Sequence, residues 1–379
     1  MKFSLQNKQD SAEGGLVIAA FVSAHGFGHA TRVSAILNAI QSRVVISKII
    51  LVGRTPRWFW EKNLSLPTQL HFMDEVSDVG LVQKNPFEHD LNLTEKALRE
   101  LLAKESKVTQ KLSSQLGHSE LDLVLSDIST LGISVGNDLN VPTVLIENFT
   151  WSWIYQEYKE TNPYFEVVAD HFCKIYQTVD LRIQCSPYCE KITGGQIVDP
   201  VFRAPHCSKE ETKEKLGFLK DEEYYLLTTG GISQNYNLTP LLNLDVKFVV
   251  PTDSIEENRM QNIRFIPFNS DFFFPDLVNA SAGVIGKAGY GTISEAWGMS
   301  KPFWGIYRNH FAESEILRKF ASSHLIHHEI EQFHLNDLSW LPTHSYPQKE
   351  IQLENGADQA AQCILTFLES SLNSPLAGR

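Results

Sequence analysis

Short apolar segments alternate with amphipathic ones along the first half of the chain, an order typical of parallel strands joined by helical crossovers. Leu16–Val22 is apolar throughout and Val44–Val52 is rich in β-branched residues, so both predict buried strands. Between them, Arg32–Ser42 repeats apolar residues at helical spacing and predicts a helix. The other strands predicted in this half are Leu121–Leu125, Val141–Ile146 and Leu181–Cys185, and the other helices are Thr94–Leu116, with Thr94 as its N-cap, and parts of Glu147–Tyr176.

The alternation starts again after residues 198–205, where Asp199-Pro200 and Ala204-Pro205 favour extended backbone and predict a linker. We therefore predict an α/β protein with two facing Rossmann-like domains, each with a parallel sheet, and a cleft between them. The predicted divisions are a disordered tail (1–15), an N-terminal domain (16–205), a C-terminal domain (206–355) and a last helix with its tail (356–379). The strands predicted in the second half are Tyr224–Thr228, Val246–Val250, Ile263–Ile266, Gly283–Ile285 and Pro302–Ile306, and the helices are Ser208–Leu216, Ser294–Met299 and Ala357–Ser370.

Each half contains a glycine-rich turn where an apolar strand meets a helix. The first turn lies within Ser23–Arg32 and the second within Gly286–Glu295. Glycines let a ligand approach bare backbone, and the start of a helix presents unpaired N–H groups with a partial positive charge. The two turns together predict an anionic ligand in the cleft.

The first turn also offers candidate acid–base groups. His25 and His29 flank its glycines, and a histidine in a cleft is suited to act as a general base. A nearby helix N-terminus favours the neutral ring, which can accept a proton. Alternatively, a histidine caps or packs the turn. Asp127 ends an apolar strand, where it could orient a histidine or an acceptor hydroxyl, or cap the next helix.

The same turn partly fits a dinucleotide-binding pattern. Gly26 and Gly28 are present, but Thr31 stands where a third glycine or alanine is usual. The acidic residue expected after the second strand is missing, and Arg54 nearby could suit a 2′-phosphate. An NADP-linked oxidoreductase is therefore an alternative.

The second turn predicts a nucleotide site. Its backbone N–H groups and a threonine hydroxyl suit a diphosphate, and Glu295 could accept both hydroxyls of a ribose or compensate the helix dipole in the first turn. Residues 230–234 predict either further hydrogen-bond donors to the diphosphate or an ordinary turn. Residues 308–313 could hold sugar hydroxyls. The candidate donor-binding residues are Gly28, Gly231, Ser233, Gln234, Gly289, Tyr290, Gly291, Thr292, Glu295, His310 and Glu313.

Composition narrows the classes of partner. The chain has 379 residues and a net charge of −12, so nucleic acid is not an expected partner. No apolar run approaches the roughly 18 residues of a membrane span, and Met1–Gly15 has no secretory apolar segment. Five cysteines, an odd number, indicate reduced thiols and a cytoplasmic protein. Arg54–Trp60 mixes cations with aromatic rings and could bind an acceptor sugar, touch a membrane surface or begin a packed helix.

Metal dependence is not expected. The chain contains no Asp-x-Asp pair of the kind that holds a divalent cation on a sugar-nucleotide diphosphate. We expect backbone donors and a helix dipole to stabilise the leaving group instead, with no cofactor besides the substrate.

Several motifs together resemble a known family. The chain is similar to GT-B glycosyltransferases related to the lipid-linked N-acetylglucosaminyltransferase of peptidoglycan synthesis. It is more similar to the glycosyltransferase-like N-terminal half of plant L-arabinokinase and its stand-alone bacterial relatives. The motifs are collinear over residues 16–325 and comprise His25–Arg32, Asp122–Asp127, Asn148–Tyr155, Gly286–Ala296 and Phe311–Glu313.

The resemblance implies a glycosyltransferase that uses a nucleotide-activated sugar, most simply a UDP-sugar, and an unknown acceptor. Glu295 would match the ribose-binding glutamate, Gly289, Gly291 and Thr292 the diphosphate turn, and His29 the histidine described as base or phosphate contact. Nothing here resembles a sugar-kinase phosphate loop, so arabinose phosphorylation is not expected. A sugar-nucleotide epimerase and a non-catalytic sugar-nucleotide-binding protein remain alternatives, because one fold serves many activities.

Overall fold

The computed structural model describes residues 14–65, 69–231, 238–253, 259–260, 262–331 and 353–373. Within these ranges the predicted pair of Rossmann-like α/β units is confirmed, one on either side of residues 199–208. Each unit is built on a seven-stranded sheet.

The first sheet has the strand order β3-β2-β1-β4-β5-β6-β7, and all its neighbouring strands are parallel. The central strands are almost wholly buried because helices cover both faces of the sheet. The strands are Leu16–Val22 (β1), Ile46–Val52 (β2), Gln69–Met73 (β3), Leu123–Asp127 (β4), Thr143–Glu147 (β5), Leu181–Cys185 (β6) and Gln196–Val198 (β7).

The second sheet has the same strand order at its centre and an antiparallel strand at one edge. Its order is β10-β11-β9-β8-β12-β13-β14, in which the short edge strand β10 is antiparallel to its neighbour. The strands are Tyr224–Thr228 (β8), Lys247–Thr252 (β9), Arg259–Met260 (β10), Ile263–Pro267 (β11), Gly283–Lys287 (β12), Phe303–Ile306 (β13) and His327–Glu329 (β14).

Eleven α-helices and one 3₁₀ turn, Thr239–Asn243, lie in the described part of the chain. The helices are Gly28–Gln41 (α1), Arg57–Asn63 (α2), Leu91–Leu116 (α3), Thr130–Leu139 (α4), Trp151–Gln156 (α5), Tyr164–Tyr176 (α6), Lys209–Lys215 (α7), Phe274–Ala280 (α8), Tyr290–Gly298 (α9), Glu313–His324 (α10) and Gly356–Asn373 (α11).

Three helix starts differ from the prediction by three residues or more. The long helix α3 begins at Leu91, where the carboxylate of Asp90 accepts from the backbone N–H of Leu93, so the prediction that Thr94 is the N-cap is wrong. Helices α1 and α9 begin at Gly28 and Tyr290, several residues before the predicted starts. Glycine is a poor helix former, but at the first position of a helix it leaves the N–H groups accessible.

The last helix does not belong with the unit that precedes it in the sequence. Helix α11 packs against α1 and against β6 and β7 of the first unit. Ala357, Ala360, Ile364 and Leu368 recur at helical spacing and are buried in the core of that unit. The chain therefore crosses between the units twice.

Candidate active site

The two glycine turns meet across the cleft between the units. A Cβ atom built on Gly291 would lie 3.0 Å from Oγ1 of Thr31 and 3.4 Å from Cα of Gly28. The N-termini of α1 and α9 therefore face each other, and both direct a partial positive charge into the same space.

A cavity opens at this junction and is lined by both units. The backbone and side chains of both turns line it, together with Glu313 at the start of α10. Asp127 lies one layer behind the cavity wall. The predicted site residues that line the cavity are His25, Gly28, His29, Gly231, Gly289, Tyr290, Gly291, Thr292, Glu295 and Glu313.

His29 is held by a buried carboxylate from the neighbouring strand. Val22 at the end of β1 pairs in register with Asp127 at the end of β4, which places the carboxylate under the first turn of α1. Nδ1 of His29 lies 2.6 Å from Oδ1 of Asp127. Because a carboxylate only accepts, Nδ1–H is the donor, and Nε2 is the nitrogen left to take a proton.

Arg32, one helical turn after His29, keeps this carboxylate ionised. Its Nε donates to Oδ2 and its Nη2 to Oδ1 of Asp127, each at a distance of 2.8 Å. Burial would raise the pKa of Asp127, but the attraction of Arg32 and His29 outweighs burial and lowers it. The alternative that Asp127 caps the next helix is wrong, because Ser129 caps α4.

His25 is less well placed to accept a proton. Burial, followed by repulsion from Arg308 and Lys287, holds its pKa well below the usual range. Its Nε2 accepts a hydrogen bond of 2.9 Å from the side-chain amide of Gln83. Its ring also stands edge-on to Trp151. Of the two histidines in the turn, His29 has the freer nitrogen.

Asn148 joins the His29 cluster to the second unit. Its Oδ1 accepts a hydrogen bond of 2.5 Å from Nη1 of Arg32, and its Nδ2 donates one of 2.8 Å to Oε1 of Glu313. All three side chains are buried. The sequence pattern did not indicate this link, although Asn148 directly follows β5 at the edge of the sheet where β4 ends.

Glu295 lies in the second turn of α9 and is paired with Arg203 from the linker. Nε and Nη2 of Arg203 lie 2.8 Å and 2.7 Å from Oε1 of Glu295. Burial raises the pKa of Glu295, and Arg203 partly offsets that rise. The alternative of dipole compensation in the first helical turn is wrong, since α9 has no acidic residue there.

Aromatic rings form one wall of the cavity. Phe27 stacks on Phe59 with ring centroids 5.1 Å apart and meets Phe268 of the second unit edge-on at 6.0 Å. Trp58 packs edge-on to Phe27. The segment Arg54–Trp60 thus includes the start of helix α2, and its Trp58 and Phe59 rings line the cleft, where they suit a planar or apolar group.

One predicted residue in the described part of the chain, His310, stands apart from this site. His310 is exposed and its carbonyl accepts from the hydroxyl of Tyr158, so the structure does not bring its side chain to the main cavity. Ser233 and Gln234 lie outside the described residues.

Comparison with known proteins identifies the family of the chain. The family described as "Glycosyl transferase family 1" matches residues 17–317. The chain belongs to glycosyl transferase family 1. L-arabinokinase from Arabidopsis thaliana is 26% identical over 360 residues, which are 92% of this chain and 34% of the relative. The chain thus spans about a third of the length of that relative.

Solved glycosyltransferases share the GT-B fold of this family 1 member. A UDP-glucosyltransferase from Polygonum tinctorium aligns with a TM-score of 0.59 and 11% identity, covering 95% of this chain and all of that one. The spinosyn rhamnosyltransferase SpnG aligns with a TM-score of 0.56 and 12% identity over 95% of this chain and 98% of its own. The glycosyltransferase SnogD from Streptomyces nogalater aligns with a TM-score of 0.53 and 14% identity, covering 94% of this chain and 96% of its own.

These identities show the fold of the family 1 chain and leave its substrates open. The distant match to L-arabinokinase is confirmed, whereas the likeness to the peptidoglycan enzyme stays a prediction. Of the helices in the described part of the chain, none is long and apolar enough to cross a membrane.

Proposed function

We propose that the protein transfers a sugar from a UDP-sugar to a hydroxyl acceptor, with His29 as the general base. The observation that carries this proposal is the junction itself. A histidine oriented by Asp127 lies in the first turn of α1, and the glycine turn before α9 faces that helix start across the cleft.

In the proposed reaction, Nε2 of His29 takes the proton of the acceptor hydroxyl while its oxygen attacks the anomeric carbon of the donor. The bond from that carbon to the diphosphate breaks, and the diphosphate leaves with the electron pair. Backbone N–H groups at Gly289–Thr292 stabilise its charge, because they already point at the place where charge develops. His25 is the second candidate for the base.

The UDP assignment draws on relatives and on Glu295. One solved neighbour is a UDP-glucosyltransferase, and another was solved with UDP-2fluoro-glucose and pterostilbene. In this chain both Arg203 contacts fall on Oε1 of Glu295, so we assign a ribose hydroxyl to Oε2. The remaining donor contacts come from Gly28 and Gly231, which line the same cavity.

Metal independence is part of the proposal. Its support is the absence of an Asp-x-Asp pair from the sequence and the presence of helix N-termini that can stabilise an anion. Turnover that persists in EDTA is the expected result, and its loss would contradict this part.

The first test is calorimetric binding of UDP, GDP, dTDP and NADP to the purified protein without added metal. We expect UDP to bind and Glu295→Gln to weaken that binding about tenfold, which corresponds to roughly one charge-assisted hydrogen bond. Binding of NADP alone would favour the oxidoreductase instead.

The second test follows UDP release from UDP-sugars in the presence of an acceptor panel. His29→Ala should lower turnover by roughly 10²- to 10⁴-fold and leave UDP affinity unchanged, because the base acts after binding. His71→Ala, an exposed histidine on β3, is the matched control. Binding without release would indicate a sugar-nucleotide-binding protein, and an epimerised sugar without an acceptor would indicate an epimerase.

A further inference from the structure

Two cationic side chains lie at or just after the ends of neighbouring strands, at the same edge of the second sheet. Lys287 ends β12 and pairs in register with Ile306, the last residue of β13. Arg308 comes two residues later. Both side chains line the main cavity beside the glycine turn.

Arg308 is buried without adequate partners. Its side chain is 8% exposed, and within the described part of the chain its Nε and Nη1 atoms have no hydrogen-bond acceptor. Its Nη2 lies 3.9 Å from Oε2 of Glu313, which is beyond hydrogen-bond distance. The guanidinium lies over the ring of Phe311, 3.4 Å from the centroid. Buried polar groups in native proteins are nearly always paired, so this arrangement indicates a missing acceptor.

The other buried arginines of the cleft differ. Arg32 is paired with Asp127, and Arg203 is paired with Glu295. Each arginine makes at least two contacts within hydrogen-bond distance of its carboxylate. Among the carboxylates of the described residues, only Glu313 attracts both Lys287 and Arg308, and Glu313 also accepts from Asn148. This corner of the cleft therefore carries an excess of positive charge.

The pKa values of both groups are lowered, as expected for buried cations without a full counter-charge. Burial lowers the pKa of Arg308 to about 10. Burial, together with repulsion from Arg308, lowers the pKa of Lys287 to about 7. A bound anion would reverse both effects.

We propose that Arg308 and Lys287 form an oxyanion-binding site for an anionic group of the donor substrate, either the diphosphate or a carboxylate on an acidic sugar. A guanidinium matches the geometry of both phosphate and carboxylate oxygens and binds them through charge-assisted hydrogen bonds. The inference rests on the proposed function, since it assigns a ligand chemistry to the same cleft.

The test compares dissociation constants of the wild type, Arg308→Gln and Lys287→Gln for UDP, UDP-glucose, UDP-glucuronate and inorganic pyrophosphate. Arg308→Gln should weaken binding roughly 10- to 100-fold, the effect of losing hydrogen bonds to a charged group. Arg99→Gln is the matched control, because Arg99 also lies over an aromatic ring, that of Tyr164, but is exposed and paired with Glu95. Unfolding midpoints check that each variant folds, and Arg308→Lys should restore part of the affinity.

The pattern of losses identifies the source of the oxyanion. If Arg308→Gln loses affinity for every UDP ligand and for pyrophosphate, the oxyanion is the diphosphate. If it loses affinity for UDP-glucuronate alone, the oxyanion is a sugar carboxylate. Normal binding of all four ligands by folded Arg308→Gln overturns the site and leaves the proposed function standing. Pyrophosphate binding that depends on Arg308, without nucleotide binding, supports the site and refutes the proposed function. If the wild type binds none of the four, both are refuted.

Discussion

The two glycine turns have the same architecture and different chemistry. Each connects a buried parallel strand to a helix that begins on or beside a glycine. The turn after β1 brings a titratable ring, His29, to the cleft and fixes it through Asp127 and Arg32. The turn after β12 presents backbone N–H groups and is flanked by cations, Lys287 before it and Arg308 just after the next strand.

The neighbouring strands account for this difference. In the first sheet, β4 ends beside β1 with an aspartate, so a histidine in the turn gains an orienting partner. In the second sheet, β12 lies between β8, which continues into Gly230-Gly231, and β13, which leads to Arg308. A strand–turn–helix unit is thus a scaffold, and the ends of adjacent strands decide whether it is suited to proton transfer or to anion binding.

The largest effect is expected from breaking the partner of the first turn. Asp127→Asn keeps the size of the side chain but leaves the buried guanidinium of Arg32 without its counter-charge. We expect a loss of about 3–5 kcal/mol in the free energy of unfolding, measured by urea denaturation. Asp74→Asn, at the exposed pair with Arg54, should cost less than about 1 kcal/mol. Equal losses in the two variants would show that Asp127 is not specially placed.

The stability that Asp127 contributes also has a defined pH dependence. Its pKa is lowered in the folded state relative to the ordinary value of 3.8. The contribution is therefore complete above that ordinary value and is lost as the pH falls through the lower, folded pKa. Urea denaturation at acidic pH should show a smaller difference between the wild type and Asp127→Asn.

In the second turn, Gly289→Ala tests the assignment of the diphosphate to the backbone N–H groups. A Cβ atom on Gly289 would meet nothing within 4 Å, so Gly289→Ala should change the free energy of unfolding by less than about 1 kcal/mol. The added methyl group would, however, occupy the space through which a diphosphate approaches the backbone. We expect UDP affinity, measured by calorimetry, to fall by about tenfold. Unchanged affinity would refute the assignment of the diphosphate to this turn.

The last test of the second turn is the pH dependence of nucleotide binding. Lys287 has a pKa of about 7 and is faced by Arg308, Glu313 and His25. Because an anion favours the protonated amine, binding above that pKa takes up a proton, and affinity should fall by at most about tenfold per pH unit. Calorimetry between about pH 6.5 and about pH 8.5 measures the slope. Lys287→Gln should abolish it, and a slope that persists in that variant would point to another group.

Local patterns predicted the interior strands well. Leu16–Val22, Leu181–Cys185 and Tyr224–Thr228 are strands with the predicted bounds. Leu16–Val22 is marked by an unbroken apolar run, and Leu181–Cys185 by polar residues that alternate with apolar ones. The edge strands Gln69–Met73 and His327–Glu329 were missed, since their polar and exposed residues leave no such run.

Sequence alone is enough to predict the alternation of strands and helices, the two glycine turns and the residues that line them, because each depends on neighbouring residues and short periods. The partners of the site residues depend on the tertiary structure. Asp127 and His29 are 98 positions apart, Arg203 and Glu295 are 92, and Asn148 and Glu313 are 165. Such pairs form only when strand register and domain packing bring distant chain segments together. The same packing leaves Arg308 buried, which its position in the sequence did not indicate.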